Sequence, residues 1–189
     1  MAQEYTKGGD YKLERLILTN FKGDTQDISL SLATIEYTES IFENYVTGKI
    51  AITDTLDLSQ FFPLIGEEKL EFSYTTDESV KIEKKFRVYR VKSTPGEDAI
   101  IHVLYFASDE AFTNSNSVIS KSFLNMTSRE IVQSAYDTLG SVKPLTTQDS
   151  LNIHHVVSPS WSPFQLINWC TTFTQHPTFK GGSWLFYED

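Results

Sequence analysis

Residues 39–74, ESIFENYVTGKIAITDTLDLSQFFPLIGEEKLEFSY, contain the pattern that decides the fold. From Val46 to Ile52, apolar residues alternate with polar ones, which is the period of a strand that buries one face. Leu56 to Phe62 then place apolar side chains at the spacing of a short helical turn, which Pro63 stops. The first part of the stretch therefore predicts a strand followed by a short helix.

A turn and a new strand complete this stretch. Gly66 begins a polar turn, and the alternation resumes from Leu70 to Tyr74. Similar patterns predict further strands, at Tyr11–Phe21, Asp27–Tyr37, Val80–Lys92 and Ala99–Ser108. The last of these runs is almost continuously apolar, which predicts burial on both faces, in a sandwich or barrel or under a partner.

The composition changes after residue 108. Residues 109–117, DEAFTNSNS, are small and polar, as in a connection between domains. Thr127 and Glu130 form a capping box in front of an amphipathic stripe that Gly140 ends. Ser162-Pro163 begins a second helix, and His176-Pro177 is expected to end it. Residues 183–189, SWLFYED, predict a final aromatic strand.

These patterns predict a mainly β (α+β) protein with two domains. We expect a flexible arm over residues 1–9, a β domain over 10–108, a linker over 109–117 and an α+β domain over 118–189 that is incomplete at its C-terminus. The first domain is an antiparallel β-barrel or sandwich that carries a short helix. The 189 residues are enough to bury a substantial core.

Composition argues against several classes of function. The formal net charge is −9, so electrostatics disfavours a nucleic-acid-binding surface. A single cysteine, Cys170, excludes an internal disulfide and fits a reducing cytoplasm. No apolar run is long enough for a membrane span, so we expect no membrane insertion. Aromatic residues make up 13% of the chain, which favours β packing and subunit contacts.

Candidate chemistry is weak throughout the sequence. His154 and His155 are adjacent and point to opposite faces of a strand, so a zinc site would need Cys170, His176 or Asp189 to be brought beside one of them. The motifs of nucleophilic, metal-dependent and nucleotide chemistry do not occur. We therefore expect no catalytic residues, no cofactor and no metal.

Two other groups of residues have an alternative explanation. Glu67-Glu68 and Asp77-Glu78 could be paired acids of a glycoside hydrolase, but they lie in polar turns where solvated charge is usual. Trp161, Trp169 and Trp184 could stack sugars, but their spacing also suits a helix packed on a sheet. Solvated charge and core or interface packing are the preferred interpretations.

The order I-F-E, G-K-I-A-I-T-D, L-D-L and F-P-L-I-G-E-E-K-L-E-F resembles the first domain of baseplate hub proteins of contractile-tailed bacteriophages. Residues Val157–Trp169 and Gly182–Glu188 are similar to the domain that follows in the same family. The resemblance implies a tail-tube-like fold for the first domain. It also implies a structural virion protein of the tail baseplate, assembled in the host cytoplasm, that joins the tail tube to the central spike and forms part of the DNA channel.

The resemblance also implies partners. They are two further copies in a homotrimer, the tail tube protein, the central spike protein and other baseplate proteins, while DNA passes without specific binding. Only the first of the two tube-like domains of such hubs is recognisable, which indicates a truncated hub. The candidate interface or channel residues are Glu67, Glu68, Glu71, Phe61, Phe62, Trp161 and Phe164, of which the three glutamates would repel DNA if they line the bore. The alternatives are a cell-wall-degrading or carbohydrate-binding tail component, and the hub of a related contractile injection system.

Overall fold

A computed structural model describes residues 11–55, 58–76, 80–96, 99–178 and 183–188. Within these residues the chain divides into two compact units. Unit 1 comprises the residues up to Thr38 together with Thr47–Ser108. Unit 2 comprises Glu39–Val46 together with the residues from Asp109 onward. The predicted arm over residues 1–9 lies outside the described residues.

Unit 1 is an antiparallel sheet with one short helix. Its described elements are β1 (Tyr11–Thr19), β2 (Thr25–Asp27), β3 (Leu32–Thr38), β4 (Thr47–Asp54), α1 (Leu58–Phe61), β5 (Lys69–Thr76), β6 (Lys81–Pro95) and β7 (Ile100–Ala107). The strand order is β2-β1-β5-β6-β7-β4-β3. The predicted β class and the helix before Pro63 are confirmed, while Leu56 lies outside the described residues.

The connection between β2 and β3 forces this sheet to curl. These two strands form opposite edges of the sheet, yet only residues 28–31 separate them. An extended chain gains about 3.6 Å per residue, so the connection spans at most roughly 18 Å. The edges of a flat sheet with these strands would be roughly 29 Å apart, at about 4.8 Å per strand spacing. The sheet must therefore curl until its two edge strands approach each other, as in a barrel whose edges are not paired.

Aromatic side chains confirm that opposite sides of the curled sheet meet inside it. The hydroxyl groups of Tyr37 on β3 and Tyr74 on β5 are hydrogen-bonded, although the two strands are not neighbours. The rings of Phe72 and Phe86 lie 5.6 Å apart, and those of Phe86 and Phe106 lie 4.7 Å apart. Large buried rings thus fill the interior of unit 1.

Residues 27–37 do not form the single strand that the alternation predicts. A 3-10 turn at Ser29–Ser31 separates β2 from β3. The Asp27 carboxylate accepts the Ser29 amide proton at 2.9 Å, and the Ser29 hydroxyl accepts the Leu16 amide proton at 2.8 Å. These side-chain bonds compete with the strand ladder and end it.

The apolar run at residues 99–108 is buried on one face only, so the predicted burial on both faces is wrong for the chain itself. His102, Leu104 and Phe106 are buried, whereas Ile101 is 42% exposed and Tyr105 is half-buried. The outer face of β7 is therefore apolar and partly exposed to solvent.

Unit 2 packs three helices and a hairpin around a separate core. Its described elements are α2 (Asp109–Asn116), β8 (Ile119–Thr127), α3 (Ser128–Leu139), β9 (Ile153–Trp161) and α4 (Pro163–Phe173). β8 and β9 pair antiparallel, with shifts in register on either side of Ser120–Leu124. The core comprises Ile119, Phe123, Ile131, Ala135, Leu139, Phe164, Leu166, Ile167 and Cys170.

Both predicted helix starts in unit 2 are confirmed. Thr127 and Glu130 form the reciprocal capping box at the start of α3, and Gly140 takes the left-handed conformation at its end, with φ of 62°. Ser162 caps α4 ahead of Pro163. That helix ends at Phe173 rather than at the predicted His176-Pro177, because the backbone of Thr174 is extended, with ψ of 136°. The Thr174 hydroxyl donates to the Cys170 carbonyl oxygen in the last turn.

Two segments of unit 2 differ from prediction. Residues 109–117, predicted as a linker, contain α2, whose carboxylates at Asp109 and Glu110 lie in the favourable first turn. Residues 183–188, predicted as part of a strand, have no strand partner within the described residues. Small polar residues did not distinguish a linker from a helix at 109–117. Alternating aromatic residues did not establish a strand at 183–188.

Gly48 offers a test of the barrel packing. A Cβ atom at this position would overlap the Glu36 carbonyl oxygen and the Phe106 ring, where one ring atom would lie 2.7 Å away. We expect Gly48→Ala to lower the free energy of unfolding by about 1–3 kcal/mol, because both neighbours are held in place. Denaturant unfolding measures this. Thr47→Ala on the adjacent exposed position is the control and should change it by less than about 0.5 kcal/mol.

Candidate functional site

The glutamates predicted to line a channel have different surroundings. Glu68 is 1% exposed, and its carboxylate accepts the amide protons of Ile65 at 2.6 Å and of Gly66 at 3.1 Å. Its carbonyl oxygen accepts the Val88 amide proton at 2.8 Å. Glu68 therefore closes the loop that follows α1, and its predicted place in a bore is wrong because its charge is used inside the unit.

Glu67 and Glu71 are on the surface. Glu67 is exposed, and Glu71 lies 3.2 Å from the Lys85 ammonium group on the neighbouring strand. This pair reduces the negative charge that Glu71 presents to solvent. The three predicted glutamates thus form no continuous acidic strip.

The two predicted phenylalanines of this loop face opposite ways. Phe61 is 56% exposed, as is nearby Ile65, whereas Phe62 is 3% exposed and belongs to the interior. Phe61 can therefore contact another subunit, whereas Phe62 is too buried to be an interface residue.

Replacing Glu68 separates its structural role from its charge. Glu68→Gln keeps the size of the side chain, and its amide oxygen can still accept from Ile65 and Gly66 in the place of Oε1, but its amide nitrogen, a donor, takes the place of Oε2 opposite the Gly66 amide. We expect the free energy of unfolding to fall by about 1–3 kcal/mol, because a buried donor is left unsatisfied. Thermal and denaturant unfolding measure this. Glu67→Gln removes the same charge one residue away and should be nearly neutral; equal effects would contradict the assignment.

In unit 2, Phe164 and Trp161 are packing residues. Phe164 is 4% exposed; its ring stacks on Tyr45 at 5.9 Å and lies 6.0 Å from Phe186. Trp161 is half-buried, and its ring lies 5.9 Å from that of Trp169. Phe164 is therefore not exposed for an interface, while Trp161 retains a partly open face.

Residues 39–46 and 183–188 are anchored to this core by polar bonds. The Asn44 side chain exchanges hydrogen bonds with Asn168, at 2.8 and 3.0 Å, and donates to the Phe186 carbonyl oxygen at 3.0 Å. The Val46 amide donates to Glu188 at 3.3 Å. The sequence alone did not predict that these distant segments meet. The contact depends on the side chain of a single asparagine, Asn44, which forms no recognisable sequence pattern.

A charged cluster lies beside these anchors. The Lys143 ammonium group binds Glu110 at 2.7 Å and Glu188 at 2.6 Å, and Ser141 donates to Glu110 at 2.5 Å. Burial alone would raise the pKa of Glu110, but the bonds from Lys143 and Ser141 outweigh it and lower that pKa. Burial alone would lower the pKa of Lys143, but its bonds to both glutamates raise it. The cluster therefore stays ionised and connects α2 to residues 183–188.

A cavity of about 710 Å³ opens next to this cluster. Its described lining includes Arg129, Tyr136, Lys143, Trp184 and Tyr187. All of its lining residues belong to unit 2. Its charged groups are already in ion pairs. Lys143 binds Glu110 and Glu188 within the lining, and Arg129 binds Asp149, which lies outside it.

The described residues offer little for chemistry. No group of three or more His, Cys, Asp or Glu side chains among them could hold a metal ion. Burial raises the pKa of Cys170 to about 12, so its thiol is not a nucleophile at neutral pH. Asp189 and the pair Asp77-Glu78, weighed above as a ligand and as paired acids, lie outside the described residues.

One cluster contains the residue types of a hydrolase triad. His102 Nε2 lies 3.3 Å from Asp54 Oδ2, and its Nδ1 lies 2.7 Å from the Ser93 hydroxyl oxygen. Asp54 also accepts the Leu58 amide proton at 2.7 Å, which begins α1. Ser93 lines neither the cavity described above nor a second one beside Arg129 and His176, both of which lie in unit 2. The cluster joins β4, β6, β7 and α1 within unit 1.

His154 has a distinct structural environment. Its Nε2 lies 2.8 Å from the buried Ser128 hydroxyl oxygen at the start of α3, and its ring contacts Trp169 at 5.9 Å. Burial lowers the pKa of His154 below its usual value of 6.5. At pH values just below that value, the unfolded chain binds a proton that the folded chain does not. The stability contribution of His154 is therefore lost as the pH falls below about 6.5.

This predicts a pH dependence that one substitution removes. The free energy of unfolding should decrease as the pH is lowered from 6.5 toward 5. In His154→Gln, whose amide nitrogen can replace Nε2, the slope in this interval should be smaller. Denaturant titrations at several pH values measure it. His155→Gln, at an exposed neighbouring position, is the control and should retain the wild-type slope.

Among the described residues, we find no helix that is both apolar enough and long enough to cross a membrane. No protein-family model matches the sequence, and no curated protein is significantly similar to it.

Two solved structures with the same fold are tail proteins. The 43 kDa tail protein of prophage MuSo2 from Shewanella oneidensis superposes with a TM-score of 0.58 at 13% identity, over 83% of this chain and 47% of that protein. The tail protein from Neisseria meningitidis MC58 superposes with a TM-score of 0.56 at 10% identity, over 88% of this chain and 45% of that protein. At these identities the likeness establishes the fold.

The chain thus spans less than half the length of both tail proteins. The likeness concerns the fold and does not single out a baseplate hub. The class defined by the fold is the α+β fold of these tail proteins, with a curled antiparallel sheet.

Proposed function

We propose that this chain is a structural component of a bacteriophage-type tail. The observation that carries the proposal is the extent of the structural likeness, since 83% and 88% of the chain are covered by two tail proteins from different bacteria. A match confined to the barrel of unit 1 would be weaker support, because a β-barrel alone serves many functions. At this coverage the match must extend into both units.

We further propose the finer role that the sequence resemblance implies. The chain would be the N-terminal part of a baseplate hub that joins the tail tube to the central spike, encloses part of the DNA channel and acts in the virion. Its partners would be two further copies of itself, the tube protein, the spike protein and other baseplate proteins. Exposed Phe61 and partly open Trp161 support contacts of this kind.

The proposed role requires no catalytic step. Glu68 binds a loop, Cys170 is protonated, and the Asp54–His102–Ser93 cluster connects strands of unit 1. These side chains have structural partners or are buried, which supports a role without catalysis. Its contribution to a tail would be to present a rigid surface to neighbouring subunits.

Solution mass tests whether this portion assembles by itself. Light scattering across a concentration series should show a trimer at high protein concentration, and Phe61→Ser should shift the equilibrium toward monomer if that exposed ring lies in the contact. Gln60→Ser, on the same short helix, is the control. A monomer at every concentration would contradict trimerisation through this portion.

Particle morphology tests the tail role separately. Disruption of the gene in its source genome should abolish complete tails in electron micrographs, and complementation should restore them. Normal tails after disruption would contradict the proposal. Peptidoglycan clearing or saturable glycan binding by the purified chain would favour the alternative function, with the unit 2 cavity beside Trp184 as the place to examine.

A further inference from the structure

The outer face of unit 1 carries an apolar row along β7. Ile101, Val103 and Tyr105 alternate with buried residues and point away from the barrel interior. In the strand register, Arg90 on β6 lies opposite Tyr105, and Lys92 lies opposite Val103. This arrangement places two cations next to a partly exposed apolar row.

The Tyr105 ring, at one end of this row, is in contact with both cations. The Arg90 guanidinium carbon lies 5.5 Å from the centre of the Tyr105 ring, and the Lys92 ammonium nitrogen lies 5.6 Å from it. The Tyr89 ring is 6.4 Å from the same ring. We call these four residues, with Val103 and Ile101, the Tyr105 patch.

Two other lysines on the same sheet are already paired with glutamates. Lys49, on the other side of Tyr105, is paired with Glu36 at 3.1 Å, and Lys85 is paired with Glu71. Within the described part of the chain, Arg90 and Lys92 form no ion pair, and both are exposed. Their charge is therefore available to a carboxylate from outside the chain.

We propose that the Tyr105 patch is a docking surface for an acidic segment of another protein. Carboxylates of that segment would pair with Arg90 and Lys92, and its apolar side chains would cover Tyr105 and Val103. A guanidinium group binds a carboxylate through two parallel hydrogen bonds, and cover over the apolar row removes it from water. The inference rests on unit 1 alone and goes beyond the tail role.

A nucleic acid fits this surface less well. The chain carries a net charge of −9, which repels a long polyanion. A short acidic segment is affected mainly by nearby charges, because salt screens interactions beyond about 8 Å at physiological ionic strength. The patch combines two unpaired cations with an apolar row. A polypeptide can offer carboxylates to the first and apolar side chains to the second.

Fluorescence anisotropy with the full chain tests the proposal. The probe is a fluorescein-labelled peptide of glutamates interspersed with leucines, titrated at low and at physiological salt. Arg90→Glu combined with Lys92→Glu should weaken binding by about tenfold or more, because both attractions become repulsions. Tyr105→Ser should weaken it by a smaller factor. Circular dichroism and thermal unfolding establish that the variants are folded, and Arg90→Gln with Lys92→Gln is the milder pair if the reversal prevents folding.

The matched control is Lys22→Glu combined with Lys121→Glu, which makes the same change in net charge at exposed positions outside the patch. It should alter the affinity by less than about twofold, apart from the long-range effect of net charge. Equal weakening by the control, or no binding by the wild-type chain at low salt, would overturn the proposal. It would also be overturned if labelled duplex DNA bound more tightly than the peptide and lost its affinity in the Arg90/Lys92 variant.

Discussion

The curl of the unit 1 sheet depends on the short connection between β2 and β3. These strands are the two edges of the sheet, and a connection of residues 28–31 cannot bridge a flat sheet of this width. Ser29 fixes the connection by accepting the Leu16 amide proton, so that the turn is bonded directly to β1. The interior that results is filled by aromatic rings, and Gly48 provides the space that the Phe106 ring occupies. The strand order, the turn at Ser29 and the space at Gly48 together allow the sheet to curl around its aromatic interior.

Unit 2 reaches its compact form through contacts between segments far apart in sequence. Residues 39–46 lie between two strands of unit 1 in the chain, yet they pack with α4 and residues 183–188. Phe164 supplies the apolar surface for this contact, and Lys143 supplies the charge that binds Glu188. The pKa of Lys143 is raised and that of Glu110 is lowered, so the pair is ionised between these two pKa values. Residues 183–188 have no strand partner among the described residues, so these bonds hold them to the rest of unit 2.

Patterns with a local physical cause could be read from the sequence. Alternation over Val46–Ile52, the capping box at Thr127 and the Ser162-Pro163 start each depend on residues close together in the chain, and all three correspond to real elements. The interruption at Ser29 depended on a bond to Leu16, which no local pattern shows. The roles of the candidate site residues were harder to predict from the sequence, because residue type cannot distinguish an exposed carboxylate from one that binds a loop. Glu67 and Glu68 are adjacent and identical in type, yet only Glu68 is buried.

The burial of Glu68 changes how an acidic chain could enclose DNA. A bore that repels DNA needs carboxylates that face water and are not paired with cations. Glu67 meets the first condition, whereas Glu68 is buried and Glu71 is beside Lys85. Unpaired positive charge is instead found on the outer face of the sheet, at Arg90 and Lys92. If the chain forms part of a tail channel, the face of unit 1 with these cations is better suited to neighbouring proteins than to the bore. The distribution of paired and unpaired charge, rather than the total of −9, therefore decides which face can meet DNA.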